Sequence, residues 1–93
     1  MYGTVAKTHV KPENRQALRE VYEKQRYEEV DGFVASYMLF EDDGDVAWLF
    51  AVFRDRESYE RNAGDPAQHE RYLEYRALME DDPEWHDGEI EQP

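Results

Sequence analysis

The chain has 93 residues, 23 of them Asp or Glu against 11 Lys or Arg, for a formal net charge of −12. That balance repels phosphate backbones and anionic lipid surfaces, so no nucleic-acid and no membrane partner is expected. Cysteine is absent, which removes disulfides and thiolate metal sites, while 40% hydrophobic and 14% aromatic residues suffice for a folded core.

Residues 2–10 read as a first strand, with Val5 and Val10 among the β-tolerant Thr4 and Thr8. Pro12 suits the first turn of a helix, where its missing N–H costs nothing. Leu18, Val21, Tyr22 and Gln25 follow at helical spacing, and Glu20 with Lys24 makes an i,i+4 pair. Asp31-Gly32 ends that segment. Two strands come next, residues 33–41 and 45–53, because Asp42-Asp43-Gly44 between apolar runs signals a hairpin. Asp55 is placed to cap a helix that turns Tyr59 inward and pairs Glu57 with Arg61 on its surface. Gly64-Asp65-Pro66 breaks the helical region, and a longer helix runs on to about Glu80 before Pro83. Residues 85–91 form a short last strand, and 91–93 trail off as a tail.

The order β-α-β-β-α-β predicts one α+β domain over residues 1–93 of the ferredoxin-like kind, a four-stranded antiparallel sheet with helices on one face. The other face has no helix to cover it. In the third strand Val46, Trp48, Phe50 and Val52 point one way, and Ala47, Leu49, Ala51 and Phe53 the other. Both sets are apolar, so both faces call for burial. A second copy's sheet is the economical cover. Val46, Trp48, Phe50 and Val52 are therefore the expected interface of a homodimer, a dimeric α+β barrel. Ala6, Thr8, Ser36, Ala47 and Ala51 then fall on the helix side as a floor of small side chains. Such a floor predicts a hollow for a small ligand, unless Leu18, Tyr22, Tyr72 and Leu73 fill it.

His69 is the titratable residue of greatest interest. On a helix it shares a stripe with Tyr72, Leu73 and Arg76. Histidine can take a proton from an acidic phenol near neutral pH, and Arg76 or Tyr72 can stabilise the anion formed. His86 is placed to line the hollow or to bond across the dimer, and His9 belongs to the rim or the interface. The three His lack metal-ligand spacing, so no metal site is expected. Glu41-Asp42-Asp43 and Glu80-Asp81-Asp82 read as solvated surface without the alternation of a calcium loop. No serine elbow and no Gly-rich phosphate loop occurs. With neither an export signal nor an apolar run of about 18 residues, the cytoplasm is the expected compartment.

Four segments together carry a family resemblance: Val10-Lys11-Pro12-Glu13, Asp31-Gly32-Phe33, the run from Val52 to Tyr59, and the run from Asp65 to Tyr72. The chain resembles the antibiotic biosynthesis monooxygenase-like family of dimeric α+β barrels, from Tyr2 to about Ile90. That resemblance implies a ligand cavity between sheet and helices. It also implies an activity like that of members that oxidise polyketide-derived phenols without a cofactor, degrade haem, or act on small signalling molecules. The haem-degrading members use an Asn, a Trp and a His, and the matching positions here hold Ala6, Asn62 and a site near Arg71, with His69 two residues away. Haem degradation is therefore disfavoured. The phenol oxygenases use an Asn and a Trp on the helix after the third strand, and Asn62 is what remains of that pair. The expected function is a cofactor-free monooxygenase of a small aromatic or quinone-like substrate. The alternative is a non-catalytic ligand-binding or structural dimer of the same fold.

Overall fold

In the computed structural model, which describes residues 1–93, three eight-residue strands make the body of the sheet: β1 (Tyr2–His9), β2 (Phe33–Phe40) and β3 (Val46–Phe53). A shorter β4 (Glu84–Glu89) completes it in the order β2-β3-β1-β4, with every pairing antiparallel. Helices α1 (Arg15–Gln25), α2 (Arg56–Ala63) and α3 (Pro66–Arg76) supply the side chains that bury the opposite set of strand residues. This is the four-stranded antiparallel α+β fold that the element order predicts.

The element ends follow local chemistry. The Asp55 carboxylate accepts from Ser58 N at 2.8 Å and starts α2, and Asp65 accepts from Ala67 N at 2.9 Å to start α3 behind Pro66. Pro12 opens a 3-10 turn (Pro12–Asn14) before α1 proper. That helix stops at Gln25, earlier than Asp31, because Arg26 turns left-handed at φ 54° and a second 3-10 turn (Tyr27–Glu29) follows. α3 likewise ends at Arg76 and not near Glu80. Acids at residues 80–82 oppose the dipole at a helix C-terminus. The Arg76 guanidinium instead bonds the turn, donating to Met79 O at 3.1 Å and Asp82 at 2.9 Å. Glu20 accepts from Gln16 at 3.2 Å, one turn back, and forms no ion pair with Lys24.

Solid packing is concentrated under one end of the sheet. Leu18 of α1, Tyr75 of α3 and Met79 beyond it join Ala6, Val10, Ala47 and Leu49 in one buried cluster. Thr8 is buried with them and donates to Ala47 O at 2.7 Å. On the helix-free face, the register sets Trp48 between Lys7 and Leu39, and Phe50 between Val5 and Tyr37. Leu39 and Tyr37 there are 50% and 64% exposed. No helix is long and apolar enough to cross a membrane.

Candidate functional site

At the other end of the sheet the helices stand clear of the strands and leave a cavity of about 320 Å³. Its floor is Thr4, Ser36, Leu49 and Ala51, from three strands. Phe33 reaches the same floor because β2 bulges between Phe33 and Ala35, which turns Phe33 and Ser36 toward the helices together. Asn62 of α2, and Gln68 and His69 of α3, bring polar groups to the wall.

The rest of the wall is aromatic and nearly continuous. Ring centroids step from Tyr27 to Tyr22 (5.7 Å), to Tyr75 (5.0 Å), to Tyr72 (5.5 Å) and to Trp85 (6.2 Å). His69 stacks beside Tyr72 at 6.3 Å. Burial pushes the hydroxyls of Tyr22, Tyr27 and Tyr75 above the ordinary phenol range, so at neutral pH they stay protonated donors. Tyr59 is pushed up to about 12, first by burial and then by donating to Asp87 at 3.0 Å. The Tyr27 hydroxyl accepts from Gln68 at 3.2 Å, and the Arg71 guanidinium lies 5.5 Å above its ring. The arrangement offers a largely apolar, aromatic-walled slot with neutral donors around it.

The structure brings Ser36, Ala51, Asn62, His69 and Tyr72 to this cavity. It keeps four other expected site residues out. Ala6 and Thr8 are wholly buried in the solid cluster, capped by Leu18 and Met79, so the floor of small residues is hollow over only part of its length. Arg76 does not line the cavity, because its guanidinium is tied to Asp82 and Met79 O. His86 pairs with Val5 and faces the helix-free side, where it bonds Glu84 at 3.0 Å. Its neighbour Trp85, opposite Ala6, takes the cavity side. A shift of one residue exchanges the faces of a strand. His9 lies on the helix-free side, bonded to Asp81 at 3.0 Å. Val46, Trp48, Phe50 and Val52 lie on one face as their alternation requires.

The sequence reading missed Tyr75 and the cavity-facing roles of Tyr27 and Trp85. The available signal was the spacing of Gln68, Tyr72, Tyr75 and Met79, a helical stripe that shares Tyr72 with that of His69, Tyr72, Leu73 and Arg76 but is slightly rotated from it. Leu73, on the rejected stripe, is 53% exposed. No group of three or more His, Asp or Glu side chains is placed to hold a metal ion.

A model of the antibiotic biosynthesis monooxygenase family matches residues 1–79. The chain belongs to that family. Solved structures of the same shape include SnoaB from Streptomyces nogalater, a cofactor-independent oxygenase. It is 21% identical, at a TM-score of 0.78 over 99% of this chain and 94% of that one. Rv0793 from Mycobacterium tuberculosis is 18% identical, at 0.74 over 99% and 96%. A conserved protein from Methanosarcina mazei Go1 is 16% identical, at 0.77 over 97% and 92%. At these identities the likeness is one of fold. Among curated proteins, none matches the chain.

Proposed function

We propose that this member of the antibiotic biosynthesis monooxygenase family is a cofactor-independent monooxygenase of a small aromatic or quinone-like substrate. The observation that carries this is the aromatic slot itself, with His69, Tyr72 and Asn62 on its wall. Family membership and the fold shared with a cofactor-independent oxygenase support it. A phenol with an activated CH2 group, such as an anthrone, lies flat among the tyrosines. His69 takes a proton from that carbon, and the Tyr72 hydroxyl donates to the phenolate-like oxygen that gains charge. The carbanion adds to dioxygen and the peroxide recovers the proton. Loss of water with the second C–H proton leaves a carbonyl, so CH2 and O2 become C=O and H2O.

Oxygen uptake with an anthrone tests this. The chain should exceed the spontaneous rate, and His69→Ala should lose about 100-fold, the low end of general-base contributions. Unchanged turnover in His69→Ala would sink the assignment. A second reading has its own support, since His69 is exposed and the Asn, Trp and His of the haem-degrading relatives are not in place. In that reading the slot binds and does not catalyse: the anthrone titrates saturably while oxygen uptake stays at the spontaneous rate.

We also infer that two copies pair through the helix-free face, with Val46, Trp48, Phe50 and Val52 at the contact. The apolar band there supports this. A cysteine-free chain also suits a reducing compartment such as the cytoplasm.

A further inference from the structure

A second, more open groove of about 390 Å³ runs between α1 and the edge strand β2. It shares Tyr22, Tyr27, Phe33, Ser36 and Met38 with the aromatic cavity, so the two hollows meet at those side chains. Ser36 is the smallest of them and leaves the least in the way. Beyond it, Met38 and Phe40 carry the apolar floor outward along β2.

Two arginines lie against Phe40 at the far end of this groove. The guanidinium carbons of Arg15 and Arg19 lie 5.1 and 5.2 Å from the centre of the Phe40 ring. Neither arginine has a carboxylate partner, although the chain has 23 acids for 11 bases. Arg15 donates to the carbonyls of Glu41 and Gly44, and its Nε is buried without a partner. Arg19, which lines the groove, donates only to Gln16, at 2.9 Å. Two carboxylates also line the groove. Glu28 is tied to Arg26 at 3.3 Å, and Glu23 is exposed to solvent.

We propose that the ligand carries an acidic arm. Its ring lies among the tyrosines, an apolar stem passes Ser36 and runs along Met38 and Phe40, and a carboxylate at the end meets Arg19. A guanidinium held on an aromatic face is pre-oriented for a two-pronged bond to a carboxylate. This inference rests on the reading that the cavity binds a flat aromatic ring, and it names the rest of the molecule.

Calorimetric titration with three probes tests it: a naphthol, the same naphthol with a short alkyl carboxylate arm, and the primary amide of that compound. At low salt the carboxylate should bind about tenfold more tightly than the amide, the gain of one charge-assisted pair. Arg19→Gln should erase that difference and leave the naphthol's affinity as it was. Ser36→Phe should reduce the ratio between either armed probe and the bare naphthol to about one. Equal affinities of carboxylate and amide, or a difference that survives Arg19→Gln, would overturn the acidic arm while leaving the ring site standing. Failure of the naphthol itself to bind would instead remove the aromatic reading, and this one with it.

Discussion

Gly32 sits where two demands meet. Its φ of +82° is a left-handed conformation that other residues resist, and a Cβ there would collide with the Ser58 side chain. Gly44 has φ +92° but open space around it. Gly32→Ala should therefore lower the melting temperature more than Gly44→Ala, whose cost is the backbone penalty of about 1–2 kcal/mol. Roughly 4–8 °C per kcal/mol applies to a domain of this size. Equal melting temperatures for the two variants would show that Ser58 gives way freely. A second residue-scale prediction concerns pH. The bond to Asp81 raises the pKa of His9 above its usual 6.5, and the neighbouring Asp45 carboxyl raises that of Glu80. Both groups hold a proton more tightly folded than unfolded, so their stabilisation is complete in acid and lost as pH rises. Between about pH 6 and 8 the His9 contribution should fade, and His9→Gln should flatten the fall in melting temperature there. A steeper fall in that variant would reverse the sign. At this scale the sequence placed His69 and Tyr72 at the cavity wall, as the structure does, but did not place Arg76 or fix the face of His86. Spacing tells which residues share a stripe, but not which partner a guanidinium chooses or where a strand's register begins.

At the scale of elements, strands and breaks were legible because their causes are local: an Asp-Gly turn, a capping Asp, a proline. The inner face of α3 was not, because three aromatic rings and not Leu73 decide it. Substitution separates these stripes. Leu18→Ala, at a fully buried site, should cost about 2–5 kcal/mol. Leu73→Ala should stay within about 0.5 kcal/mol, as exposed positions do. Denaturant midpoints measure both, and a large loss at Leu73 would restore the stripe that runs through Arg76. Strand β2 shows the other limit. Its bulge after Phe33 changes the parity at the start of the strand, and no alternation count over residues 33–41 reveals that. The hollow was legible as a floor of small residues. Its extent was not, because Ala6, Thr8 and Ala47 serve just as well as a seat for Leu18 and Met79.

For the whole molecule, the apolar band of exposed Tyr37 and Leu39 beside half-buried Trp48 and Phe50 is the feature behind the proposed pairing. Trp48→Glu places a charge in its middle. The variant should sediment as a monomer with its helix and strand content retained, where the parent chain should sediment as a dimer. A Trp48→Glu protein that still pairs would move the contact elsewhere. The division of the sheet has a further consequence, for inheritance and for engineering. The side chains that keep the chain folded cluster around Val10, Leu18 and Ala47, whereas Ser36, Ala51 and Asn62 shape the slot. Descendants of this chain can exchange those three residues and reshape the slot while their foundation goes unrevised.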